Sequence, residues 1–524
     1  NVTRTLFINA GAAGDVRLFG LTLANGRVVG GDGGAVYVQT ARSLILSDTR
    51  IINSAAVSTT LTNGQGGGLY VAGVLPLTLV NSQITTNTAG TNYGGLFTSS
   101  ALTMTGSTIA ANSAGSRDYG GFLTGGALTM ISSTVASNVA GQDIGGFSAT
   151  GPLTMIGSQV LSNTARAGQA GGVYIGKIAT IANSTIASNT APVGGGIVAA
   201  ASLVVSNSTI AANAATIRAG GISLTTGSSA RFIHVSVVSN SAPSAASIFF
   251  NSAGPHFFTN TIVGGAAAGQ CAGTTTRQDF SSISNDMNCG LRTVPSIGVG
   301  LLGAYGGSQP TAPLVAGSPA LDAAAPAACP PRDQRGLTRA GVCDVGAYES
   351  RGGFSMALQG GAVQTTTAGA IFPTPLVVRF FSNNGEPLGP GGVLAVASPA
   401  AGASLAPSTT FGLVDAQGWV TLPLTAGSAS GAYPITISAN SIASTFPGRM
   451  TNIHGCSNTV TNTLDAGRGS LRDAVACEAA GSNITFDPAT FSVPRIITLT
   501  SPIVISRSLV ISGAGSSRLA ISGN

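Results

Sequence analysis

LTMTGSTIAANSAG (102–115), LTMISSTVASNVAG (128–141) and LTMIGSQVLSNTAR (153–166) are three copies of one pattern. Working outward, LTLVNSQITTNTAG (77–90) precedes them, and ATIANSTIASNTAP (179–192) and LVVSNSTIAANAAT (203–216) follow. The asparagine that closes each block falls at Asn87, Asn112, Asn138, Asn163, Asn189 and Asn213, in steps of 25, 26, 25, 26 and 24 residues; Asn25, Asn53 and Asn240 extend the series. Glycine pairs keep the same period: Gly94-Gly95, Gly120-Gly121, Gly145-Gly146, Gly171-Gly172 and Gly220-Gly221. A constant step of this size marks a solenoid, whose units bury their apolar faces only by stacking on one another.

Leucine-rich repeats share the period but carry a helix or 3₁₀ turn in each unit. Here the intervening residues are Gly, Ser, Thr and β-branched types, with no run of helix formers. Each unit reads as three short strands: one after the glycine pair (Leu96, Phe122, Val173), one carrying Leu102/Met104 or Leu128/Met130, and one carrying Ile109, Val135 or Val160. The expected fold is all-β, a right-handed parallel β-helix of about 25 residues per coil, about twelve coils and ~55–60 Å long at ~4.8 Å per coil. Glycine is expected to supply positive φ at one corner and asparagine at another. The stacked asparagines fit two roles equally: an amide ladder from coil to coil, or a file of solvent-facing turns.

Composition agrees with an all-β chain: 74 glycines in 524 residues, 44% hydrophobic and only 8% charged. The net charge of +6 comes from scattered arginines and one lysine, Lys177, without the basic face that nucleic acid or an anionic membrane requires. No transmembrane segment is expected, since no apolar run reaches ~18 residues. Six cysteines form three sequence-local pairs, Cys271 with Cys289, Cys329 with Cys343 and Cys456 with Cys477; none has zinc-ligand spacing. Disulfide pairing predicts an oxidising, extracellular or cell-surface location.

After the repeats, GSPALDAA (317–324), DQRG (333–336) and CDVGAYE (343–349) resemble the end of the choice-of-anchor Q domain of large bacterial surface proteins. TNTLDAGRGSLRDAVACEAAGSNITFDP (461–488) resembles the CSLREA segment that opens such β-helices, with Gly469 in place of the motif cysteine. Between them, DAQGWVT (415–421) resembles an element of the group 1 bacterial Ig-like domains of invasin and intimin type. These resemblances imply a β-helix with its closing segment over 1–351, an Ig-like β-sandwich over 352–452, and an opening cap with the first strands of the next β-helix over 453–524. In the cap, Ser470 is an N-cap with Asp473 at the reciprocal capping-box position, opening a helix at about 470–480 with Leu471, Ala474, Val475 and Ala479 on its apolar face.

Strand alternation runs through Leu519 and Ile521 and resumes at Val2, Leu6 and Ile8, so residue 524 of one unit is expected to run into residue 1 of another. The expected function is therefore structural, a unit of an extracellular filament or tandem-repeat surface fibre whose partners are copies of itself end to end. An adhesin that binds glycans or a partner surface is the alternative, with Tyr93 and Tyr119 as a short aromatic strip. A polysaccharide-degrading enzyme would need a carboxylate pair, and only Asp118 and Asp143, at one repeat position in successive coils, offer one; turn chemistry accounts for both. His234, His256 and His454 have no ligand spacing, and no catalytic residue, metal or cofactor is expected.

Overall fold

The computed structural model describes residues 3–60, 62–251, 254–265, 269–273, 276–339, 341–442, 445–453, 455, 457–478 and 480–523. Strands repeat the same order coil after coil, and every pairing within the solenoid is parallel. The first sheet stacks 11 strands from Leu6–Asn9 to Cys271–Gly273, and the second stacks 11 from Asp15–Phe19 to Thr276–Phe280. The third stacks 12 from Thr22–Ala24 to Arg292–Thr293, and a fourth stacks 8 from Arg27–Val29 to Ala214–Arg218. The chain is thus the expected parallel β-solenoid, with four strands in most coils where three were expected. The fourth is as short as two residues, as at Thr88–Ala89, Ser113–Ala114 and Val139–Ala140.

Strand alternation sends one residue in and the next out. In the second sheet Leu77, Leu102, Leu128 and Leu153 lie in register, with Leu79, Met104, Met130 and Met155 beside them, all buried. Ile84, Ile109, Val135, Val160, Ile186 and Ile210 line the third sheet in the same way. Like residues therefore stack on like along one continuous core.

The corners differ from expectation by one residue. The glycine pairs do not carry the positive φ; the residue before them does, at Tyr93, Tyr119, Ile144, Ala170 and Ala219. The pairs are glycine because the backbones are too close for a side chain: a Cβ on Gly94 would lie 2.3 Å from the Gly120 carbonyl oxygen and 2.6 Å from the Ser113 backbone. Nor does the ladder asparagine turn the other corner; Thr86, Ala111, Ser137, Ser162, Ser188 and Ala212, each one residue earlier, adopt the left-handed conformation.

Residues 291–351 close the solenoid and share one hydrophobic core with the two-sheet module that follows. That module pairs a three-stranded sheet (Phe354–Gly360, Leu376–Ser382, Trp419–Leu422) with a five-stranded one (Val363–Thr367, Val393–Ala397, Thr409–Leu413, Gly431–Ala439, Phe446–Ile453). Tyr348 donates to Glu386 at 2.6 Å and Asn440 donates to the carbonyls of Ser318 and Leu321, which locks the joint. In the last segment the helix is Leu471–Cys477, shorter than expected, with Ser470 Oγ accepting from Asp473 N at 3.1 Å. Asp473 Oδ2 accepts from Gly469 N, one residue before the N-cap. Gly469 has φ +79°, a left-handed conformation that strains any side chain, where the resembling motif carries cysteine. Leu471, Ala474 and Val475 pack on Val460, Ile484, Phe486, Phe491 and Ile497. Ala479 lies outside the described residues.

Candidate functional site

Four files of side chains run along the solenoid, and each follows from what the corners demand. Asn87, Asn112, Asn138, Asn163, Asn189 and Asn213 are fully buried. Each Oδ1 from Asn112 onward accepts both the backbone N–H and the Nδ2–H of the preceding rung, as Asn138 does from Asn112 at 3.0 Å twice. Each Nδ2 also donates to a strand carbonyl one coil back, as Asn138 does to Ile109 O at 3.0 Å. The asparagines are therefore an internal amide ladder, with every buried group matched. The ladder ends at Asn240, which accepts from Asn213. Asn25 and Asn53, read as members from the sequence, sit one residue off it in left-handed turns; Ser54 takes the rung, its Oγ accepting from Gly26 N and its own N–H donating to Asn87 Oδ1.

A serine file, not anticipated from the sequence, holds the other corner. Ser82, Ser107, Ser133, Ser158, Ser184 and Ser208 each accept the N–H of the rung before at 3.0–3.2 Å. Each donates its hydroxyl to the carbonyl two residues back, as Ser133 does to Ile131 O at 2.9 Å. The signal was present: every one of these serines stands five residues before a ladder asparagine.

Asp118 and Asp143 belong to a third file. Asn92 Oδ1 accepts from Asp118 N, Asp118 Oδ1 from Asp143 N, and Asp143 Oδ1 from Gln169 N, at 3.1, 3.1 and 2.6 Å. One carboxylate oxygen of each is thus committed to fixing the next coil. Beside this file runs a fourth, of aromatic rings on the outer side of the first sheet. Phe7, Tyr37, Tyr70 and Phe97 stack at centroid spacings of 5.7, 5.7 and 4.8 Å, and Tyr93 joins Phe97 to Tyr119 at 4.6 and 5.1 Å. The strip expected from Tyr93 and Tyr119 is six rings long. Burial pushes the phenols of Tyr70, Tyr93 and Tyr119 up, with Tyr119 and the nearby carboxylates adding to the effect at Tyr93, so the rings stay neutral hydroxyls.

The closing segment lies along the third sheet as a strap. Gln309 donates to Gly157 O, Thr185 to Pro310 O at 2.7 Å, Gln334 to Thr185 Oγ1 at 2.7 Å, and Thr209 to Gln334 Oε1 at 2.6 Å. Farther along, Ala347 N donates to Ser236 Oγ and Gly346 N to Asn260 O. The DQRG and CDVGAYE residues tie the strap internally: Asp333 pairs with Arg335 at 2.7 Å with both side chains fully buried, and Arg339 pairs with Glu349 at 2.7 Å. Burial and Glu349 push Asp344 up to about 8. A groove of about 640 Å³ between strap and solenoid is lined by Asn183, Asn207, Gln309 and Arg332 among others.

His234 is buried under the strap, within hydrogen-bond reach of Gly346 O (3.3 Å), Ala328 O (3.1 Å) and Asn260 Nδ2 (2.9 Å). Burial, with Arg339 nearby, pushes its imidazole down to about 4. One of its ring nitrogens lies within 4.8 Å of the sulfurs of Cys329 and Cys343, but those sulfurs are bonded to each other. Cys271 and Cys289 form the second described disulfide, and Cys477 is disulfide-bonded. Its expected partner Cys456, like His454, lies outside the described residues. His256 is buried beside the Phe250 ring. No helix among the described residues is long and apolar enough to cross a membrane. No protein-family model, no curated protein and no solved structure matches this chain.

Proposed function

We propose that this chain is a structural unit of an extracellular filament or tandem-repeat cell-surface fibre, in which the β-helix of one unit continues into that of the next. The observation that supports it is a pair of like sheet edges. The strands Leu6–Asn9, Asp15–Phe19, Thr22–Ala24 and Arg27–Val29 are each paired on one side only, and Phe7 and Phe19 stand 57% and 72% exposed there. In the last segment Val510–Ile511 and Leu519–Gly523 are also paired on one side, in parallel, and step 27 and 24 residues from their partners as solenoid coils do. Val504 and Ile521 are exposed beside them. Exposed apolar strand edges invite pairing with another chain. The ladders make each coil rigid, the two-sheet module would serve as an Ig-like bead between rods, and the disulfides suit an oxidising exterior.

Sedimentation and negative-stain imaging of the purified chain at rising concentration test assembly between separate copies. End-to-end particles with alternating rods and beads are expected, lost in Phe19→Lys and Ile521→Lys. If the chain stays monomeric, the covalent version remains, and a native species of 51.3 kDa under denaturing conditions would exclude it. Both results together would end the filament reading.

A further inference from the structure

The aromatic file is more than the solenoid needs for its own stacking. Centroid spacings of 5.7, 5.7, 4.8, 4.6 and 5.1 Å from Phe7 to Tyr119 fall in the range of offset stacking, in which neighbouring rings cover one another only in part. Tyr37, Tyr70, Tyr93, Phe97 and Tyr119 are all partly exposed. Among the described residues, no protein group hydrogen-bonds the phenol oxygens of the four tyrosines. After Phe97 the register of the first sheet continues with Leu123, the buried Ser148 and Tyr174, and Tyr119 and Tyr174 pack on the buried Ile144, Ala170 and Val198.

Its border is chemically distinct. Asp118 and Asp143 each commit Oδ1 to the backbone of the next coil, leaving Oδ2 without a partner among the described residues; Asp32 accepts from Gln65 N at 2.9 Å and from the Gly64 backbone. Arg4, beside Phe7 and Tyr37, is held by the carbonyls of Asp32 and Gly33 and caps the other end of the strip. Ring faces and phenol hydroxyls are thus set beside fixed carboxylates at Asp32, Asp118 and Asp143, with the amides of Gln65 and Asn92 at the rungs between. Ring faces pack against the C–H faces of a sugar, and a fixed carboxylate oxygen accepts from its hydroxyls. The same carboxylates repel an anionic chain.

From this juxtaposition we propose that the strip is a binding site for an extended, neutral polysaccharide lying along the rod axis, with sugar rings on Tyr70, Phe97, Tyr93 and Tyr119 and hydroxyls donated to Asp118 and Asp143. The site does not depend on assembly into filaments.

Affinity electrophoresis through gels containing hydroxyethylcellulose, xyloglucan, galactomannan or dextran, with polygalacturonate as the anionic comparison, tests the proposal. Retardation is expected by at least one neutral polymer and not by polygalacturonate. Tyr93→Ala/Tyr119→Ala should weaken it about tenfold or more. Tyr93→Phe/Tyr119→Phe, which keeps the stack, should retain part of the binding, and Asp118→Asn/Asp143→Asn should weaken it without lowering the melting temperature by more than a few degrees. No retardation by any neutral polymer overturns the proposal. So does retardation that the alanine pair leaves unchanged while the protein remains folded, or retardation by polygalacturonate alone.

Discussion

A ladder asparagine costs the fold more when lost than its own size suggests, because each side chain within the ladder bonds four neighbouring groups. Asn138→Ala strands the N–H of Asn112, takes one of two acceptors from Asn112 Nδ2, which keeps Ile84 O, and removes a donor from the carbonyl of Ile109, all buried. At ~1–3 kcal/mol for each buried unsatisfied group, partly relaxed, the expected loss is about 3 kcal/mol in chemical denaturation. Thr129→Ala on the outer face of the second sheet should change stability by no more than ~0.5 kcal/mol. The period of the asparagines was legible; their role was not, because the conformation that distinguishes ladder from turn belongs to the residue before. That residue is Thr, Ala or Ser, none of which advertises a left-handed turn. Asn25 and Asn53, which do adopt it, are the two outside the ladder.

His234 gives a pH dependence of known sign. Its folded pKa, about 4, lies below the ordinary value of 6.5, so the unfolded chain takes up the proton first as pH falls. The stability it contributes is full above pH ~6.5 and is lost between ~6.5 and ~4, amounting to about 3 kcal/mol. Asp344, raised, has the opposite slope, so the test is a difference: wild type should lose stability relative to His234→Gln over that interval, measured by urea denaturation at each pH. Parallel curves would mean that the buried imidazole is solvated in the folded protein.

At the scale of the element, strand alternation in LTMT and STIA fixed which residues face inward, and the core residues lie where that alternation puts them. The fourth strand escaped notice because two residues carry no alternation. The glycine pairs were visible, but steric contact between coils, rather than backbone conformation, explains them. Gly120→Ala therefore makes a discriminating variant. Its φ is ordinary, so backbone entropy alone predicts mild stabilisation; the Cβ would instead lie 2.5 Å from the Gly145 carbonyl oxygen and from the Val139 backbone. Neither neighbour is a flexible side chain, and the expected result is a loss of about 3 kcal/mol, with nearby amides exchanging faster.

Over the whole molecule, the all-β solenoid was legible from period and composition. The rigid joint between closing segment and two-sheet module was not, because it depends on contacts between residues as far apart as Ser318 and Asn440. The strap is the consequence with the most mechanical interest. In a solenoid each coil touches only its neighbours, so local opening should be nearly independent along the rod. The strap breaks that uniformity, since Gln334 alone bridges the coils of Thr185 and Thr209, while the third-sheet coils of Ile84 and Ile109 have no such bridge among the described residues. Gln334→Ala removes those bonds and leaves both ladders intact. Hydrogen exchange should then rise about tenfold at the third-sheet amides of 185–187 and 209–211, for roughly 1–1.5 kcal/mol of lost local stability, and stay unchanged at 83–85 and 108–110. An equal rise in all four strands would mean that the rod opens as one cooperative body, with the strap binding its whole length rather than the coils it touches.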